Sequence, residues 1–173
     1  FEKGDAPKAI QFLEELVQSD PENGRARMAL GDIYRNQGKI DKSFDEFEKA
    51  FTCSDVDVDA KMKLLIALQE ASYKPENRAV QLMELMNKQH PNDAKSHAIR
   101  GDYMVALEKP KDAIYSYRKA TEFDANQYPI WNQLLILEYQ NELFEELYVD
   151  SKKCLENFTA MPTIYLLNGI GAI

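Results

Sequence analysis

The strongest constraint on this chain is that it repeats itself. Placing Gly31 over Gly101 lays ALGDIYRNQGKIDKSFDEFEKA on IRGDYMVALEKPKDAIYSYRKA, each running through Gly-Asp and a polar turn to a closing Lys-Ala. The offset of 70 residues holds two units of about 35, and IALQEASYKPENRAVQLMELMNKQHPND fills the interval with Ala67 in the glycine slot. Units start at Gly24, Ala60, Ala94, Tyr128 and Pro162, spaced by 36, 34, 34 and 34 residues. The two additional residues of the first interval are assigned to the loop SDVDVD. A period in this range marks a stacked repeat array, because each unit is too small to bury its apolar face alone.

Within each unit the apolar residues recur at helical spacing, and no useful length alternates with period two. Asp20-Pro21, His90-Pro91 and Tyr128-Pro129 read as turns, since the residue before proline avoids helical geometry. Pro75 and Pro110 stand near the first turn of a following helix, where a missing N–H is harmless. The pattern predicts about ten helices and no sheet, over 5–19, 24–37, 40–53, 58–72, 76–89, 94–107, 110–123, 128–140, 143–157 and 162–171.

These units resemble the tetratricopeptide repeat, a 34-residue helix–turn–helix with W-x2-L-G-x2-Y, then A-x3-F-x2-A, then P. From Gly24 the matching residues are Leu30, Gly31, Tyr34, Ser43, Phe47 and Ala50. From Ala94 they are Gly101, Ala113, Tyr117 and Ala120, and from Tyr128 they are Trp131, Leu134, Leu147 and Cys154. The unit from Ala60 supplies Ile66, Ala67, Ala79 and Pro91, and an incomplete first unit carries Ala9, Leu13, Leu16 and Pro21. Four positions depart from the pattern: Arg100, Leu135, Glu70 and Glu138. The resemblance implies an all-α, right-handed α-solenoid of stacked helical pairs. It divides residues 1–173 into a partial repeat 1–23, repeats 24–59, 60–93, 94–127 and 128–161, and the first helix of a further repeat, 162–173. Gly31, Ala67, Gly101 and Gly169 would let paired helices approach closely, with Phe47, Met83 and Tyr117 plugging the gaps.

Composition narrows the function. With 21 Lys and Arg against 29 Asp and Glu, the formal charge is −8, which repels phosphate backbones and disfavours nucleic acid. No apolar run approaches the roughly 18 residues of a membrane span, so direct insertion is not expected. Cys53 and Cys154 lie three units apart in the same kind of helix, whereas a disulfide needs Cα atoms within about 7 Å. Cys154 fills a small core slot. The apolar ending IYLLNGIGAI makes the chain read as a piece of something longer, with an edge open to further repeats or to another copy. In style it resembles bacterial multi-repeat proteins, which leans its compartment toward the cell envelope, periplasmic or lipid-anchored.

Catalytic signals are weak. His90 and His97, the only histidines, are seven apart with no HxxxH spacing, so no metal site is expected and both are assigned to cap and surface roles. The adjacent pairs Glu14/Glu15 and Glu145/Glu146 diverge by about 100° on a helix, and they and Asp57/Asp59 are assigned to solvated faces. Gly169-Ile170-Gly171 lacks the strand and third glycine of a phosphate loop. No cofactor is implied, and the chain is expected to be non-catalytic.

The resemblance places partner contact on the first helices. Their inward residues would be Met28, Asp32 and Arg35; Leu64, Leu68 and Ala71; Ala98, Asp102 and Val105; and Asn132, Ile136 and Tyr139. Leu64 and Leu68 share a face and would be costly in water, at roughly 1.5–3 kcal/mol each, so either a partner covers them or the helix is rotated and buries them. Lys63 in a usual core slot makes the rotation credible. Two acids, Asp32 and Asp102, with the apolar Met28, Leu64, Leu68 and Ala98 do not suit the carboxylate clamp of chaperone-binding members. The expected function is an interaction scaffold that holds a peptide or helix of another protein. The alternative is a recruitment or regulatory segment of an enzyme whose catalytic domain lies elsewhere.

Overall fold

The computed structural model describes residues 6–71 and 76–172. Among them are ten α-helices and no strand: α1 (Ala6–Ser19), α2 (Gly24–Asn36), α3 (Ile40–Thr52), α4 (Val58–Glu70), α5 (Asn77–Gln89), α6 (Ala94–Ala106), α7 (Pro110–Phe123), α8 (Tyr128–Gln140), α9 (Phe144–Asn157) and α10 (Pro162–Gly171). They stack as a right-handed solenoid in which even-numbered helices open each pair. Pro75, expected near the start of α5, lies outside the described residues.

Local chemistry sets the helix starts. The side chains of Asn23, Asp57 and Asp93 accept hydrogen bonds from the N–H groups of Ala26, Ala60 and Ser96, satisfying donors that have no partner inside the helix. α7, α8 and α10 carry proline in the first turn instead. The connections α2–α3, α6–α7 and α8–α9 are three residues each. Their middle residues, Gly38, Glu108 and Glu142, all take positive φ, at 72°, 59° and 57°.

Two glycines earn their place by packing. A Cβ on Gly31 would sit 2.4 Å from the Phe47 ring, and one on Gly101 would sit 2.5 Å from the Tyr117 ring. Both rings are buried, so α2–α3 and α6–α7 close tightly. Gly169 does not play this part: a Cβ there would meet nothing within 4 Å, whereas at Gly171 it would strike the α9 backbone at Tyr148 and Phe144.

The phase of one unit differs from expectation. α4 begins at Val58 behind the Asp57 cap, as the expected helix 58–72 has it, two residues before the unit start placed at Ala60. Its buried residues are Lys61, Leu64, Leu65 and Leu68, occupying the positions that Trp131, Leu134, Leu135 and Glu138 hold in α8. Helix pairs therefore start at Gly24, Val58, Ala94, Tyr128 and Pro162. The loop SDVDVD holds no insertion. Its Asp55 is built in, accepting from the Gly24 N–H at 3.0 Å and the Arg25 N–H at 3.2 Å. The additional residues lie instead in the connection 71–76 between α4 and α5. Leu65, not Ala67, occupies the glycine slot, and Glu70 is an exposed residue outside the aromatic slot.

Candidate partner-binding face

The corrected phase re-aims α4 and with it the centre of the inner face. Leu64 and Leu68 are only 7% and 9% exposed and belong to the main apolar cluster, so of the two arrangements expected for them, an open groove or a rotated helix that buries them, their burial fits the second. The physical reason is the two-residue shift, which rotates α4 by more than half a turn. Lys63 is turned into solvent, and Lys61 is buried in the slot it was expected to fill. What α4 offers to the inner face is Ile66, 38% exposed, together with Gln69 and Glu70.

The other expected residues distribute unevenly. Met28, Arg35, Ala98, Asp102, Asn132 and Ile136 are half-buried, while Asp32, Ala71, Val105 and Tyr139 are exposed. Val105 and Tyr139 are 43% and 45% exposed, large values for apolar side chains. One groove of about 390 Å³ gathers residues of four helices: Ile66, Gln69 and Glu70 from α4, Asp102 and Val105 from α6, Tyr117 from α7 and Gln133 from α8. Of the expected set, only Asp102 and Val105 line it. Met28, Asp32, Ala98, Asn132, Ile136 and Tyr139 are not brought into it.

A smaller cavity of about 150 Å³ lies where α2, α3, α4 and α5 meet and is bordered by Arg35, Ser43, Phe44 and Leu68. The buried Ser43 hydroxyl has no hydrogen-bond partner there.

The electrostatics of the larger groove centre on Asp102. The Tyr117 hydroxyl donates to its Oδ1 at 2.6 Å, and the Gln69 side-chain amide donates to its backbone carbonyl at 3.3 Å. Burial holds the Asp102 carboxyl above the usual carboxylate range, with the Tyr117 hydrogen bond opposing. The Tyr117 phenol is in turn pushed well above its ordinary value by burial and by the adjacent carboxylate. Outside the groove lining, Lys95 is paired with Asp59 at 2.5 Å, which holds both groups in their charged forms. Asp32 also lies above the usual range because of burial, and Arg35 pulls it back.

The sequence reading missed a second cluster, and a signal for it was present. Glu138 stands where the repeat favours an aromatic, and it is fully buried. Arg118 of α7 donates to Glu138 of α8 at 2.6 Å and to Asp150 of α9 at 2.7 Å, and Lys153 donates to Asp150 at 2.7 Å. Burial first, then the neighbouring Asp150 charge, pushes the Glu138 carboxyl upward, while Lys153 and Arg118 hold Asp150 low against its own burial. The cluster ties three helices together and lies away from the groove.

The histidines are built into the stack. His97 is buried and stacked on Phe123 at 5.5 Å, with one ring nitrogen 2.7 Å from the Pro91 carbonyl, so it is no surface residue. His90 closes α5 and lies 3.2 Å from the buried Lys61 amine. Trp131 is buried and donates to the Ala125 carbonyl at 2.8 Å. Cys53 and Cys154 are both buried free thiols, and burial pushes Cys154 up to about 11. Among the described residues no three His, Cys, Asp or Glu side chains gather as an ion-holding group, and no helix is long and apolar enough to cross a membrane.

Comparison with known proteins agrees with this architecture. Residues 1–46 match the tetratricopeptide repeat family model. The fold is similar to a crystal structure of MamA, at 19% identity over 90% of each chain with a TM-score of 0.59. It is similar to PilF of Pseudomonas aeruginosa at 16% identity and TM-score 0.55, over 96% of this chain and 75% of that one. It is also similar to YrrB, described as a repeat protein with an unusual peptide-binding site, at 13% identity and TM-score 0.59, over 92% of this chain and 81% of that one. No curated protein matches the sequence significantly. The phased helical pairs and the glycine–ring contacts give the chain a fold similar to that of tetratricopeptide repeat proteins, and residues 1–46 match that family's model.

Proposed function

We propose that this chain is a non-catalytic scaffold whose inner face holds an extended or helical segment of another protein. The observation that carries the reading is the row of exposed apolar side chains on successive opening helices: Ile66 on α4, Val105 on α6 and Tyr139 on α8. Each keeps roughly two-fifths of its surface in water. Their core-side neighbours Leu65, Tyr103 and Leu134 are fully buried. Covering such side chains with a partner recovers hydrophobic free energy at about 25 cal/mol per Å² of apolar surface. Among the neighbours in fold, YrrB is named for a peptide-binding site, which supports the same use of this architecture.

The test is selection of 12-residue peptides on the immobilised chain from a displayed library, followed by affinity measurement on the free peptides. Ile66→Glu and Val105→Glu place charges on the row without touching the core, so circular dichroism should be unchanged while affinity falls at least tenfold. Selection that yields no binder, or binders indifferent to both substitutions, would overturn the proposal.

A further inference from the structure

Resting on the groove reading above, we infer that the groove between α4 and α6 selects a partner segment carrying a lysine or arginine beside an aliphatic residue, with the basic head group on Asp102 and Glu70. The groove is apolar along Ile66 and Val105, and its charged lining residues are Glu70 and Asp102, both acidic. No lysine or arginine of the described residues forms an ion pair with either carboxylate. The two basic residues of the same helix are engaged elsewhere, Lys95 by Asp59 and Arg100 by Glu84 and the Ser116 hydroxyl. Asp102 thus sits half-buried with a neutral phenol as its side-chain partner.

A half-buried carboxylate without a cation is an unfavourable arrangement for a free protein, because desolvation is not offset by charge pairing. A basic side chain answers both features of the groove. Its methylene stem can lie along Ile66 and Val105 while its head reaches the carboxylates. An acidic segment or a phosphate would instead meet two like charges, which electrostatic complementarity selects against.

Asp102→Asn is the discriminating variant, since the amide oxygen still accepts from Tyr117 and the fold is left intact. The probes are peptides selected on the wild-type chain, each remade with norleucine in place of its basic residue. The expected result is enrichment of Lys or Arg next to Leu, Ile or Val. Affinity should then drop at least tenfold on Asp102→Asn for the basic peptide and stay unchanged for its norleucine version, with binding of the basic peptide weakening as salt rises. Selected peptides that lack basic residues, or that bind Asp102→Asn as well as wild type, would overturn this inference while leaving the groove as a binding site. Selection that yields no groove binder at all would overturn both.

Discussion

Leu65 and Ile66 are adjacent in sequence and opposite in fate, which makes them the sharpest test of the α4 phase. Leu65 is fully buried in the glycine slot of its unit, and Ile66 is 38% exposed on the inner face. Truncating a buried leucine to alanine removes transfer free energy and leaves a cavity, a loss of about 2–5 kcal/mol. Leu65 packs in the main apolar cluster, and its backbone carbonyl accepts from the buried Tyr103 hydroxyl at 2.8 Å, so α4 cannot easily collapse into the space. Leu65→Ala therefore belongs in the upper half of that range.

Ile66→Ala loses contacts from one partly exposed face, and replacing a β-branched residue by alanine returns a few tenths of a kcal/mol of helix propensity. Its net cost should be about 1 kcal/mol or less. For a chain of this length each kcal/mol moves the melting temperature by roughly 2–4 °C. Thermal melts followed by far-UV circular dichroism should then show Leu65→Ala lowered by roughly 8–15 °C and Ile66→Ala by under about 4 °C. An Ile66→Ala variant that loses more than Leu65→Ala would refute the Val58 phase and restore the start at Ala60, in which Ile66 fills a core slot.

Three further outcomes follow from the packing. Gly101→Ala should destabilise by about 1–2 kcal/mol despite a gain of about 1 kcal/mol in helix propensity, because the new Cβ meets the Tyr117 ring, which is anchored on Asp102; chemical denaturation reads the sign. Glu142→Gly should stabilise by roughly 0.5–1 kcal/mol, since it relieves a left-handed conformation at the middle of a turn at a smaller cost in chain entropy. Glu138, pushed up to about 8 by burial from an ordinary carboxylate value of 4.5, binds its proton more tightly folded than unfolded. Its contribution to stability is present below about 4.5 and is lost as pH rises toward 8, so Glu138→Gln should flatten the decline in melting temperature between those values and melt higher than wild type at pH 8.

Much of the fold was legible because the repeat's signals are local. Glycines that admit a ring, prolines in first turns and helical apolar spacing each act within a few residues, and the ten helices fell where those signals put them. The phase of α4 was misread because two leucines, an isoleucine and an alanine in a row, LLIA, satisfy the core pattern at either of two offsets. The information that decides between them is polar. Asp57 stands to α4 as Asn23 stands to α2 and Asp93 to α6, and a cap fixes the first residue of a helix in a way that a run of apolar residues cannot. Lys63 in a presumed core slot pointed the same way. Asp102 and Val105 were reachable by position within the repeat, whereas Glu70 and Gln133 enter the groove only through the relative placement of α4, α6 and α8.

The units also show why one of them bends the rule that the others keep. In two pairs, a glycine on the opening helix faces a ring on the closing helix: Gly31 with Phe47 and Gly101 with Tyr117. In the pair α8–α9 the bulk is exchanged, with Leu135 in the glycine slot and Ser151 in the ring slot, both buried. The pair α4–α5 makes no such exchange, because Leu65 and Met83 are both large and both fully buried. Close-packed interiors do not absorb that volume without moving a helix. α4 accordingly packs more extensively on α6 than on its own partner α5, and the Tyr103 hydroxyl fastens it there through the Leu65 carbonyl. Bringing α4 and α6 together is what seats Ile66 and Glu70 beside Val105 and Asp102. The same oversized residue that breaks the repeat's packing rule therefore assembles its acidic, apolar groove, and Leu65→Ala should loosen both.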